Sequence, residues 1–455
     1  MTFTELQERW PNIRGKGSYL EIWLLAYPAA IAMISQTLMS TVNTLMVSRL
    51  GTVEIGAVSL GSLLVWTLYS LFSGLIQSTN TFVAQSYGAG EKEECARFVH
   101  QGIYLSIASG ILLYFLGFLG PYLFQIMGPS ERVQVIGDDY LRISMLGGGS
   151  FLIYLNLSCF FRGIGDTKTP MKVAIAANVV NVVLDYTLIF GHFGFPRLEV
   201  RGAAIATVLA NLFSAIAFLV LFFSRKVDRE YRSRRLASFS WEEIRRMVRI
   251  GLPIGVQFLL DIGSFLVFSA YIGRMGDNQL AANHIAIRIM AFSFMPCYGI
   301  SIAATSLVGQ YIGAGDIPSS ERSGYNAIKI GMAYTAVIAT AFLLFSNPLI
   351  RFFSDDPTVS GFGRSILLLA ACFQVFDGMG MIASGSLRGA GDTRWPMVVC
   401  VLYAWALFLP LMHLFGGVLG GGVVGAWIGG TIYIIALGLT LFLRFRGGRW
   451  KRMRI

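Results

Sequence analysis

Apolar stretches long enough to cross a bilayer as a helix, about 20 residues each, recur along the whole chain and are separated by short polar turns. Twelve are read, at 18–47, 54–87, 95–119, 138–161, 172–191, 202–224, 248–273, 280–311, 325–346, 358–387, 397–416 and 421–443. Runs of this length are helical rather than extended. The pattern therefore predicts an all-α polytopic membrane protein with 12 transmembrane helices in two six-helix bundles. The longest polar stretch, 225–249, falls at mid-chain and divides an N-terminal bundle (1–224) from a C-terminal bundle with a basic tail (250–455). Ser240 and Glu243 have the spacing of a capping box, and Trp241, Ile244 and Val248 follow at helical spacing. This linker is read as a short amphipathic helix lying on the cytoplasmic interface.

The two halves resemble each other. Ala26-Tyr27-Pro28 answers Gly251-Leu252-Pro253, Arg49-Leu50-Gly51 answers Arg274-Met275-Gly276, and Gln85 to Gly90 answers Gln310 to Gly315, each at an offset of 225. Arg162-Gly163-Ile164-Gly165-Asp166-Thr167 answers Arg388-Gly389-Ala390-Gly391-Asp392-Thr393 at 226, and Gly202 to Ile205 answers Gly425 to Ile428 at 223. Six spans is an even number, so both halves enter the membrane with the same polarity. Parallel repeats of this kind are typical of transporters whose substrate site lies near the midplane. The RGxGDT turns combine Gly for tight backbone geometry with Asp as a helix cap and Pro shortly after, a structural role.

Composition agrees. Apolar residue types make up 55% of the chain and charged types 13%, about half the charge of a soluble domain. The net charge of +11 is a matter of placement. With the N-terminus in the cytoplasm, 27 of the 36 Lys and Arg fall on inside segments, nine of them in 225–249. This positive-inside bias puts both termini in the cytoplasm and the protein in the cell membrane. The basic runs at 225–249 and 444–454 are read as topology, not as a nucleic-acid site. The five cysteines form no CxxC or Cys/His cluster, so neither a disulfide framework nor a zinc site is expected. Glu5, Glu8 and the length of the first apolar run argue against a cleavable signal peptide. Gly420, Gly422 and Gly425 fit GxGxxG but lack a preceding strand, so helix packing is the better reading. Four scattered His and no Walker A, HExxH or GxSxG sequence leave nothing for an enzyme.

An ionised side chain at mid-bilayer costs at least about 2.5–3.5 kcal/mol, so those retained there are functional candidates. Asp261 lies in span 7 with Gln257 and Ser264 on the same helix face, and Asp377 lies in span 10 beside Gln374. Their repeat counterparts, Gln36 and Phe151, carry no charge, so scaffolding does not require the acids. In span 5, Asn178, Asn181 and Asp185 form a polar stripe. The 34 Phe, 18 Tyr and 17 Met include the aromatic and thioether groups expected to wall a binding cavity. Pro296 and Pro410 are expected to kink spans 8 and 11.

The early Pro of spans 1 and 7, the QxxGAG ending spans 2 and 8 and the RGxGDTxxPM after spans 4 and 10 resemble the multidrug and toxic compound extrusion (MATE) family, in its NorM and DinF-like forms. The resemblance covers nearly the whole chain. It implies a V-shaped pair of bundles and antiport: export of small organic cations or amphipathic drugs in exchange for Na⁺ or H⁺. In NorM-type members an acid in span 7 and an Asp in span 10 form the cation site, positions matched here by Asp261 and Asp377; span 7 usually shows Glu there. Two carboxylates suit Na⁺ as oxygen ligands or share a proton, and both readings stay open. Asn181 and Asp185 match the Asn-x-x-x-Asp of a first-half proton site. The family's span 1 Asp is replaced by Asn43, which releases no proton, so a hydrogen-bonded Asp185–Asn43–Asn181 group is the competing reading. No cofactor beyond the coupling cation is expected, nor any nucleic acid. Membrane lipid is the expected surrounding and a monomer the expected state. A flippase for lipid-linked oligosaccharides is the alternative, disfavoured because the intramembrane charges are acidic.

Overall fold

The computed structural model describes residues 15–453. Glu5, Glu8, Arg9, Arg14 and Arg454, on which some of the sequence expectations rest, lie outside them. Among the described residues all regular structure is helical. The first half contains α1 (Tyr19–Ser48), α2 (Thr52–Gly88), α3 (Lys92–Met127), α4 (Glu131–Leu146), α5 (Gly148–Gly163), α6 (Lys168–Phe190) and α7 (Glu199–Phe222). The short α8 (Arg225–Tyr231) precedes α9 (Trp241–Gly273), α10 (Asp277–Gly313), α11 (Ile317–Arg351), α12 (Pro357–Gly389), α13 (Arg394–Val418) and α14 (Gly422–Arg446). Eleven of these are long and apolar enough to cross a membrane, and the pair α4 and α5, bent by 47°, makes a twelfth if it counts as one span. The bend falls at Gly147, inside the fourth run read from the sequence. The helices present large apolar side chains outward, such as Phe115 (61% exposed), Val220 (66%) and Leu344 (69%). Such a surface matches hydrocarbon, not water.

The chain divides into two compact units: one takes residues up to Ala30 and from Gln257 on, the other is Ile31–Val256. Each division falls inside a helix, α1 or α9. Local packing explains this. The start of α1 places Ile22 and Ala26 in a core with Ala303, Leu307 and Ile382. The start of α9 lies against α2, where Gly74 and Gly255 meet so closely that a Cβ on either would strike the other helix's backbone. Small residues permit this approach, which replaces the hydrophobic drive that lipid does not supply. Elsewhere in the Ile31–Val256 unit, buried Asn156 of α5 accepts from Thr79 Oγ1 of α2 (2.7 Å) and donates to the Val99 carbonyl of α3 (2.9 Å). In the other unit, Trp427 Nε1 donates to Asn283 Oδ1 (2.9 Å) beside Phe268 and Phe373.

The repeat is visible in the backbone. Gly165 and Gly391 take φ of +89° and +86°, where a β-carbon is disfavoured. In each copy the following Asp N–H closes the helix end, Asp166 onto the Phe161 carbonyl (2.8 Å) and Asp392 onto that of Leu387 (2.9 Å). The side chains then diverge. Asp166 caps the next helix as expected, accepting from the Thr169 N–H (3.0 Å) and hydroxyl (2.6 Å). Asp392 does not: Trp395 replaces that threonine, and Asp392 pairs with Arg444 Nε (2.8 Å) in a nearly buried ion pair. Arg444 also lies over the Trp395 ring.

The segment 225–249 differs from the expected interfacial helix. Trp241 to Val248 run without a break into α9, which continues through Pro253 to Gly273. The capping box is half formed: Glu243 N–H donates to Ser240 Oγ (3.5 Å). The Glu243 carboxylate instead accepts from Arg97 Nε (2.6 Å), while Gln101 Oε1 takes the Ser240 N–H (3.0 Å). His100, Gln101 and Tyr104 of α3 bond to backbone groups of Ser233, Ser238 and Ala237. The linker is thus docked along α3.

Pro410 occupies the single α-helical turn between two wide π-helical stretches of α13, Tyr403–Phe408 and His413–Val418, consistent with a donor missing from the ladder. α10 continues through Pro296. α11 breaks helical geometry at Phe345, three residues before Pro348, a site the sequence reading missed.

Candidate functional site

In the unit built from residues up to Ala30 and from Gln257 on, the two expected acids stand on α9 and α12. Asp261 and Asp377 are each half-buried. Asp261 Oδ1 and Asp377 Oδ2 are sealed from solvent without a hydrogen-bond partner among the described residues. An unsatisfied buried carboxylate oxygen is costly and asks for a cation or a proton. Tyr433 of α14 lies within the electrostatic reach of both carboxylates.

The supporting residues separate. Gln257 is buried one turn before Asp261 and acts on it together with Arg388. Its Oε1 accepts from Arg388 Nη2 (3.3 Å) and its Nε2 donates to Cys400 Sγ (3.2 Å). Ser264 shares the helix face, but its hydroxyl donates to the backbone carbonyl of Asp261 (2.8 Å), not to the carboxylate. Gln374 donates to Ser293 Oγ (2.9 Å), tying α12 to α10. Asp377 sits where α12 comes close to its neighbours: a Cβ on the adjacent Gly378 would press on Thr335 of α11 and Cys297 of α10. Sequence reasoning missed Arg388, Cys400 and Tyr433. Arg388 was visible in the RGxGDT motif but was read as part of a turn; nothing marked the other two.

The Ile31–Val256 unit gathers three of its four expected residues. Asp185 and Asn181 of α6 are fully buried, with Asn43 of α1 beside them. With both amides turned nitrogen-first, Asn43 and Asn181 donate to Asp185 Oδ2 at 2.5 and 3.0 Å. In that orientation the three side chains make the hydrogen-bonded group weighed from the sequence. Asp185 Oδ1 has no hydrogen-bond partner among the described residues. Asn178 is elsewhere: its Nδ2 donates to Ser35 Oγ (2.6 Å), and it lines a separate cavity with Gln36 and Arg162. Among the described residues no three His, Cys, Asp or Glu cluster as a metal site.

A family model, MatE, matches the chain twice, at residues 28–187 and 253–413. The two matches begin 225 residues apart, the offset of the internal repeat, and together take in Asn43, Asn178, Asn181, Asp185, Gln257, Asp261, Ser264, Gln374 and Asp377. The chain belongs to the MatE family. As a MatE protein it is a multi-pass membrane transporter and not an enzyme. A probable multidrug resistance protein NorM of Thermotoga maritima is 29% identical over 99% of this chain and 96% of its own length. A second, from Xanthomonas campestris pv. campestris, is 32% identical over 93% of each chain. Among solved structures, one described as the outward-facing conformation of a multidrug resistance MATE family transporter superposes with a TM-score of 0.88 at 24% identity. It covers 97% of this chain and 98% of its own. A MOP superfamily transporter from Pyrococcus furiosus also reaches 0.88 at 24% identity, over 100% of both chains. These likenesses show that the MatE fold extends along the whole chain.

Proposed function

We propose that this MatE protein is a multidrug efflux antiporter of the cell membrane. It exports small organic cations and amphipathic drugs in exchange for Na⁺ or H⁺, as a monomer with both termini in the cytoplasm. Its twelve spans form two six-helix bundles, 1–224 and 250–455, joined by 225–249. Asp261 and Asp377 hold the coupling cation, with Gln257 orienting the first; Asn43, Asn181 and Asp185 form a second polar site in the first half.

The observation that carries this reading is the pair of intramembrane carboxylates, each with an oxygen left unpartnered and each replaced by an uncharged residue in the other repeat. A cation bound between them satisfies those oxygens and biases the transporter toward one face. Each charge moved inward releases about 2.3 kcal/mol at 100 mV, so one or two cations drive export of a monovalent drug. The names of the relatives, probable multidrug resistance proteins, support the substrate class. Ion-driven uptake of a fluorescent cation into everted vesicles tests it: Asp377→Asn abolishes uptake at unchanged expression. Coupling retained in that variant removes the carboxylates from the mechanism.

A further inference from the structure

Arg97 of α3 and Arg322 of α11 are repeat counterparts at the offset of 225. Arg97 pairs with Glu94 (3.1 Å) and Glu243 (2.6 Å). At the same offset those two acids are answered by Ser319 and Ser18. Arg322 is exposed and, among the described residues, makes no ion pair. The described acids at its end of the unit are already engaged. Glu21 accepts from the Tyr311 hydroxyl (2.8 Å), Asp316 pairs with Lys16 (3.4 Å), Glu321 with Lys451 (2.8 Å) and Asp392 with Arg444 (2.8 Å).

The tail adds three cations and fixes them in place. α14 ends at Arg446, and Gly448, with φ of +68°, turns the chain back. Trp450 is fully buried: its ring stacks on Phe445 at 5.0 Å and its Nε1 donates to the Phe445 carbonyl (2.7 Å). Phe445 packs in turn on Tyr325, one helical turn beyond Arg322. In the single tight turn Arg449–Arg452 the end residues are three apart and so share a side. Arg446, Arg449 and Arg452 are exposed, and among the described residues none makes an ion pair. Leu439, Leu443 and Arg446 follow at i, i+4 and i+7 on one face of α14, and both leucines are exposed. An apolar stripe that ends in clustered guanidinium groups has the two-part chemistry of a phospholipid. The positive-inside bias accounts for the side of the membrane these charges occupy. It does not account for acids missing where the first half has them, nor for a folded tail that holds arginines together.

We infer that Arg322, Arg446, Arg449 and Arg452 form a headgroup site for an anionic phospholipid of the adjoining leaflet, whose acyl chains lie along Leu439 and Leu443. The planar fork of each arginine matches phosphate oxygens, and basic residues clustered at the end of a membrane helix attract anionic lipid additively. This contact is independent of what the protein exports.

Native mass spectrometry of the purified full-length protein, titrated in neutral detergent with dioleoyl phosphatidylglycerol or dioleoyl phosphatidylcholine, measures the preference. The wild type binds the anionic lipid at least about tenfold more tightly. Arg446→Gln/Arg449→Gln/Arg452→Gln removes that preference. The charge-matched Arg225→Gln/Lys226→Gln/Arg229→Gln, on α8 of the other unit, leaves it within about twofold. Arg322→Gln lowers it about fivefold and, lying outside the tail, keeps the test open if the tail variant does not fold. Excess inorganic phosphate at constant ionic strength leaves lipid binding unchanged. Equal binding of the two lipids to the wild type, equal losses in the two triple variants, an unchanged preference in Arg322→Gln, or displacement by inorganic phosphate would overturn the inference.

Discussion

Asp261 and Asp377 are half-buried acids with one sealed, unpartnered oxygen each, and single substitutions separate them from their neighbours. Ser264 bonds only its own helix backbone, so Ser264→Ala leaves ion-driven transport within about twofold and costs about 1 kcal/mol or less in stability. Gln257 bridges Arg388 and Cys400 beside Asp261. Gln257→Ala is expected to weaken cation affinity by about tenfold or more, read as a rise in the half-saturating cation concentration. Equal effects of the two variants would show that sharing a helix face is enough. The acids themselves were legible in the sequence, since charge inside an apolar run stands out. Their environment was not: helical spacing places Gln257 and Ser264 alike, and only the fold shows which one turns its polar atoms toward other helices.

Helix ends and turns carry the repeat, and they are where the copies drift. Asp392 and Arg444 form a nearly buried pair, while the equivalent Asp166 caps a helix. Asp392→Ala leaves Arg444 without its carboxylate and is expected to lower stability by about 3–5 kcal/mol; Asp166→Ala removes a cap and costs about 1 kcal/mol. Thermal unfolding in detergent distinguishes them, and equal losses would contradict the assignment. Asp316 caps α11 through the Ser319 N–H (3.1 Å), which holds its carboxyl below the usual range. The stability it contributes is present above the unfolded carboxyl's value of about 3.9 and disappears as pH falls through the lowered one. In Asp316→Ala that part of the acid transition is lost. The motifs predicted these turns because glycine and aspartate act locally. The docking of 225–249 along α3 was invisible, since it depends on Arg97, His100 and Gln101, more than a hundred residues away.

Across the whole molecule, hydropathy revealed the helical class and the spans, because lipid forces a span to show itself as an apolar run. It did not reveal the 47° bend between α4 and α5, nor that α1 and α9 each contribute to both compact units. Both depend on close helix approach at small residues. The duplication preserved the scaffold while the chemistry diverged: Asp261 and Asp377 have the uncharged Gln36 and Phe151 at their counterpart positions. Coupling through the acidic half is tested by efflux of a fluorescent organic cation from proteoliposomes, with a Na⁺ gradient and a pH gradient imposed one at a time. One gradient alone should drive efflux by the wild type, and Asp261→Asn and Asp377→Asn should each reduce that efflux to the level of protein-free liposomes. Efflux by the wild type under neither gradient, or undiminished efflux in both variants, would contradict ion coupling at these two residues.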